Sequence, residues 1–122
     1  MIERSSDPGP IAQAVAAGVA GVAGVARLTA GAGVEAATYY AGGKTIGVVV
    51  RKDQVTVHII VMELPVARVA ERVREGALEV LRALGTQHAV EVAVEDVELD
   101  KLPEIPHSAV LPRAKARRGW VR

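Results

Sequence analysis

Residues 55–99, VTVHIIVMELPVARVAERVREGALEVLRALGTQHAVEVAVEDVEL, decide the fold. Residues 55–62 alternate with a period of two: Val55, Val57, Ile59 and Val61 share one face, and Thr56, His58, Ile60 and Met62 share the other. Residues 65–85 change to a helical period, with Pro65 at the first helical position and Gly85 at the stop. Val66, Val69, Val73, Val80 and Leu84 form the expected buried stripe, edged by Ala70, Ala77 and Leu81. Arg68, Glu71, Arg72, Arg74, Glu75, Glu79 and Arg82 cover the opposite, solvated face. Val90, Val92 and Val94 then alternate again, and the phase shifts to Val97 and Leu99. One extra residue near Glu95 and Asp96 keeps both sets inward, which predicts a β-bulge or the strand's end there. A strand–helix–strand cassette of this kind specifies a helix-on-sheet domain and says little about a reaction.

Upstream, residues 1–10 read as a lead, with Asp7, Pro8 and Pro10 preparing a helix start. The first helix is expected over residues 11–28, since Ile11, Val15, Val19, Val22 and Val25 fall on one stripe. Gly18, Gly21 and Gly24 weaken it by up to about 1 kcal/mol each, so packing must stabilise it, and they leave a smooth strip for close approach. A loop over residues 29–33, a strand over 34–40, a turn at Gly42–Gly43, a strand over 46–51 and a turn at residues 52–54 complete the reading. The fold class is α+β: a small sheet of three to four strands, mostly antiparallel, with two helices on one face, in the order α-β-β-β-α-β. Residues 11–102 form the single domain, and residues 103–122 form a proline-containing basic tail.

The chain of 122 residues is half hydrophobic, and valine and alanine dominate. Tyr39, Tyr40 and Trp120 are its aromatic residues, and it has no cysteine, which removes disulfide and thiolate chemistry and fits a cytoplasmic protein. The net charge of +1 hides a split. Residues 1–112 carry ten basic and fourteen acidic side chains, whereas Arg113, Lys115, Arg117, Arg118 and Arg122 close the chain with no acid among them. Between Asp7 and Arg27 lie nineteen uncharged residues, close to the length of a membrane span. They are mostly small, include Pro8, Pro10 and Gln13, and carry one bulky stripe, so they read as a helix packed on a core.

Catalytic groups are sparse. Ser5, Ser6 and Ser108 fall in the lead and tail, where no base is held beside them. His58, His88 and His107 have no metal-ligand spacing, and Asp96, Glu98 and Asp100 sit at alternate positions of an amphipathic strand without a calcium-loop pattern. The GVAGVAG segment lacks the preceding strand and the lysine of a phosphate loop. No catalytic, cofactor or metal residue is assigned, and no cofactor is expected.

The segments IAQAVAAGVAGVAGVARL, VTVHIIVMELPVARVAERVREGALEVL and VEVAVEDVEL together resemble the alkaline-shock or Gls-type general-stress family of bacterial envelope stress proteins. The likeness covers residues 10–99 and rests on core positions: the IAxAV opening, Gly24–Val25 before Leu28, the VAxxVRxxxxEVL helix and the Val-Glu closing strand. It implies a small α/β domain without enzymatic activity that self-associates and gathers at the inner face of the membrane through a separate membrane-anchor protein. The stretch VEAATYYAGGK and the tail RAKARRGWVR depart from the family's pattern, the first adding or lengthening a strand.

The expected function is therefore a non-enzymatic scaffold of the envelope stress response, working as a homo-oligomer. Its location is cytoplasmic or peripheral to the inner membrane, with anionic lipid contacted by the tail. The alternative is a nucleic-acid-binding module that uses the same tail. Candidate interaction residues are His58, Ile60 and Met62 on the half-apolar outer strand face, and Arg113, Lys115, Arg117, Arg118, Trp120 and Arg122.

Overall fold

The structure, a computed structural model, describes residues 7–99. Residues 1–6 of the expected lead and the whole expected tail, residues 103–122, lie outside the described residues. The elements run α1 (Pro8–Ala20), β1 (Val25–Leu28), β2 (Ala37–Tyr40), β3 (Gly43–Ile46), β4 (Val48–Val50), β5 (Gln54–Val61), α2 (Val66–Leu84) and β6 (Ala89–Val97). The fold is α+β, with a four-stranded sheet and a separate two-stranded one.

β5 is the centre of the main sheet. One edge pairs in parallel with β6 along its whole length, from Gln54↔Ala89 to Val61↔Val97. Its other edge is shared by two antiparallel strands placed end to end: β4 pairs with residues 55–57 and β1 with residues 59–61. The seam falls at His58, whose N–H donates to Gly47 O at 2.7 Å and whose C=O accepts from Thr29 N–H at 3.0 Å.

The first helix differs from its expected extent at both ends. It begins at Pro8 rather than residue 11, because the Asp7 carboxylate accepts the Gly9 N–H at 3.2 Å and Pro8 brings no N–H that needs a partner. It stops at Ala20, and Val25–Leu28 is a strand, not the helix's last turn. Gly24 turns the chain at φ +94°, where a Cβ would lie 2.7 Å from Val69 Cγ2, and its C=O accepts the Met62 N–H at 2.8 Å. Val25 is then buried opposite Val61, so one valine spacing suits a helix stripe and a short strand alike.

The strand expected over residues 46–51 is likewise divided. Gly47, at φ +91°, has no room for a Cβ, which would meet Leu28 Cβ at 2.7 Å. The chain before it folds back on β2 as a hairpin, Ala37↔Ile46 to Tyr40↔Gly43, and the chain after it enters the main sheet. The first of these strands starts at Ala37, three residues later than expected. Thr38, buried on the hairpin's inner face, donates its hydroxyl to Val48 O at 2.6 Å and accepts from Val50 N–H at 3.1 Å. Those groups lie on the edge of β4 that faces away from β5, so one side chain does the work of a missing strand.

The predicted bulge is present. Ile59 faces Val94 and Ile60 faces Asp96, leaving Glu95 as the extra residue. A second bulge leaves Ala26 unpaired in β1, between Val25↔Val61 and Arg27↔Ile60, so both flanks of the sheet swell at the level of Ile60.

Both helices cover one face. Val55, Val57, Ile59 and Val61 meet Ile11, Val15 and Val19 of α1 and Val69, Val73, Ala77 and Leu81 of α2, all essentially without solvent contact. Each full aliphatic burial contributes about 1.5–3 kcal/mol. The α2 stripe is thus rotated from its expected centre: Ala77 and Leu81 are in the middle, whereas Val66, Val80 and Leu84 are partly buried. The reason is the neighbouring helix, since Val80 packs over Gly18 of α1. Pro65 caps α2 from outside, after a cis Leu64–Pro65 bond, and Gly85 closes it in a left-handed turn with Gly85 N–H on Arg82 O and Thr86 N–H on Leu81 O.

Candidate functional site

The sheet face away from the helices carries a row of polar side chains. β5 presents Gln54, Thr56, His58 and Ile60 there, and β6 presents Glu91, Ala93, Glu95 and Asp96 beside them. Gln54 Nε2 donates to Glu91 Oε1 at 3.1 Å, and His58 Nδ1 meets Glu95 Oε2 at 2.8 Å. Arg27 makes two 2.8 Å bonds to the Glu98 carboxylate. Glu98 holds the arginine's pKa above its ordinary value, and Arg27 holds the Glu98 carboxyl below the ordinary carboxylate range.

These ties change the reading of the half-apolar strand face. β1 and β6 flank β5 on opposite sides, so the Arg27–Glu98 pair spans it. Ile60, in register with Arg27, is left only 6 % exposed, and His58 is partly buried with Gly31 of the β1–β2 connection close to it. Of the two apolar candidates on this face, Ile60 is buried and Met62, at 39 %, is exposed. Arg113, Lys115, Arg117, Arg118, Trp120 and Arg122 lie outside the described residues.

A different surface, missed in the sequence, is exposed on the hairpin. Thr38, Tyr40 and Thr45 turn inward, with Tyr40 against Gly9 and its hydroxyl 2.8 Å from Thr45 Oγ1. The opposite face carries Tyr39 and Ile46, and Val34 stands in the loop just before it. Their exposures are 63 %, 40 % and 93 %. Lys44 Nζ lies 5.6 Å from the Tyr39 ring centre and donates to both Glu35 oxygens, at 2.8 and 3.1 Å, while the Tyr39 hydroxyl donates to Glu35. Bonds from Lys44 and then Tyr39 hold the Glu35 carboxyl below its usual range, and Glu35 in turn raises the Tyr39 and Lys44 pKa values. The available signal was the pairing of Tyr39 with Lys44 across a two-residue turn, which places two successive aromatics on opposite faces.

Two shallow grooves adjoin α2. One, of about 410 Å³, lies where its end meets the start of β6, lined by Arg82, Thr86, Gln87 and His88 with Leu78 and Leu81. The other, also about 410 Å³, follows Arg68, Glu71, Arg72, Glu75 and Glu79. Arg72 is a tie between segments, donating to Ala23 O at 2.6 Å and to Glu63 at 3.0 Å. Among the described residues, no group of three or more His, Cys, Asp or Glu is placed to hold a metal ion, and no helix is long and apolar enough to cross a membrane. The chain matches no protein-family model, no curated protein and no solved structure.

Proposed function

We propose that the chain is a non-enzymatic interaction protein that associates with copies of itself, as its alkaline-shock resemblance implies, through the outward face of the β2–β3 hairpin. The observation that supports this is the trio Val34, Tyr39 and Ile46, exposed together on and beside a hairpin that no other strand covers among the described residues. Glu35 and Lys44 lie in the same patch, so a twofold axis there sets each charge of one copy near the opposite charge of the other. Envelope-stress work, a membrane-anchor partner and contact with anionic lipid belong to the same reading. Binding of nucleic acid is disfavoured on the folded body, because Glu91, Glu95, Asp96 and Glu98 repel phosphate from the sheet face.

Sedimentation across a range of concentrations tests self-association. Tyr39→Asp with Ile46→Asp is expected to leave a monomer with an unchanged circular dichroism spectrum. The same concentration dependence in both proteins, or none in either, sinks the reading. Cosedimentation with anionic vesicles, with and without residues 113–122, tests the lipid contact separately, and equal pelleting removes it.

A further inference from the structure

Among the described residues, β6 is paired along one of its two edges. Ala89 N–H donates to Asp53 O at 3.0 Å and Glu98 N–H to Val61 O at 2.7 Å. With the register running from Gln54↔Ala89 to Ile59↔Val94, the backbone groups of Ala89, Glu91 and Ala93 point to β5. Those of Val90, Val92 and Val94 point away, and no described strand pairs with them. Such an edge accepts an added strand.

The side chains along that edge specify the strand's chemistry. Glu91, Ala93 and Glu95 alternate on the outer face. Glu91 spends Oε1 on Gln54 and Glu95 spends Oε2 on His58, and the second oxygen of each accepts nothing from the described residues. A strand with a cation at every second residue therefore lays positive charge beside these carboxylates. A second copy's β6 would instead set like charges side by side.

The sequence contains one segment of the required pattern. In residues 113–117, RAKAR, the cations Arg113, Lys115 and Arg117 alternate with Ala114 and Ala116, so an extended backbone puts all three on one face. Thirteen residues, 100–112, connect Leu99 to Arg113. At about 3.3 Å per residue they reach roughly 40 Å, beyond the roughly 30 Å length of β6. We infer that residues 113–117 add to the open edge of β6 as a further strand, with Arg113, Lys115 and Arg117 over Glu91 and Glu95. This inference does not depend on the hairpin's role in self-association.

Residue-resolved amide exchange on the full chain tests it. The Val90, Val92 and Val94 amides are expected to exchange about tenfold or more slowly in the natural chain than in Arg113→Glu/Lys115→Glu/Arg117→Glu. The Glu91 and Ala93 amides, bonded to β5, stay slow in both and report that the body is folded. The exchange variant Arg113→Ala/Ala114→Arg/Ala116→Arg/Arg117→Ala keeps charge and composition but makes the cations consecutive, and it is expected to lose the protection too. Retention in that variant would mean attraction without strand pairing and overturns the inference. Equal exchange in all three proteins overturns it as well. Protection that grows with protein concentration and survives charge reversal does the same, by placing a second β6 on the edge.

Discussion

The Thr38 hydroxyl donates to the Val48 carbonyl at 2.6 Å and accepts the Val50 amide at 3.1 Å, so a single side chain seals the outer edge of β4. Thr38→Val keeps the shape and removes both bonds, leaving a donor and an acceptor unpaired where the side chain is only 7 % exposed. The expected loss is about 1–3 kcal/mol in urea unfolding, and Thr38→Ser should recover most of it. Equal stability of the valine and threonine proteins would show that water takes over the edge.

Gly18 and Gly21 belong to one glycine series and should respond oppositely to alanine. A Cβ on Gly18 would lie 2.7 Å from Val80 Cγ2, whereas one on Gly21, at φ −94°, meets nothing within 4 Å. Gly21→Ala is expected to stabilise by about 0.4–1 kcal/mol through the unfolded chain. In Gly18→Ala the helix-propensity gain of about 1 kcal/mol is outweighed by overpacking of about 1–3 kcal/mol. Adding Val80→Ala should remove that overpacking, and a double-mutant cycle with no coupling would break the argument.

Ile60 and Met62, adjacent on the outer face, separate burial from availability. Ile60→Ala empties a site beneath Arg27 and Glu98 and should cost about 2 kcal/mol or more. Met62→Ala should stay within about 0.5 kcal/mol. Thermal unfolding that ranks them the other way would show that the Arg27–Glu98 pair does not bury Ile60.

Acid should weaken the protein in part through two carboxylates. Glu35 and Glu98 both titrate below the ordinary value of 4.5 in the folded chain, held there chiefly by Lys44 and Arg27. Their contribution is fully present above that value and is lost as pH falls through the lower folded ones. Both groups are surface-placed, so the effect is small and should shrink with added salt. The double variant Glu35→Gln/Glu98→Gln is expected to flatten the decline of the urea midpoint below pH 4.5. A decline of unchanged slope would assign it to other groups.

The sequence was most legible where one pattern had one solution. Residues 55–99 showed both strands and the intervening helix, and the valine phase shift between Val94 and Val97 left a bulge or a strand end, of which the structure has the bulge at Glu95. Val22 and Val25 were ambiguous, since spacing alone cannot separate a fourth helical turn from a turn and a strand. Gly24 and Gly47 decide the outcome by backbone geometry and by what they touch, Val69 and Leu28, which are far away in sequence. The candidate surfaces were harder still. Burial of Ile60 depends on an arginine and a glutamate 71 residues apart, and exposure of Tyr39 depends on a hairpin leaving the main sheet.

The seam at His58 also orders the assembly of the chain. β4 reaches β5 through the short turn that bonds Arg51 N–H to Gln54 O, so its half of the edge closes early and locally. β1 must return across the whole β2–β3–β4 stretch before Leu28 can meet Ile59, and the entropy of that larger loop is charged before any pairing is gained. β6 faces a similar closure, since Gln54↔Ala89 spans 35 residues against 31 for Leu28↔Ile59, so the β4–β5 hairpin is the one local pairing of the sheet, onto which β1 and β6 both dock from a distance.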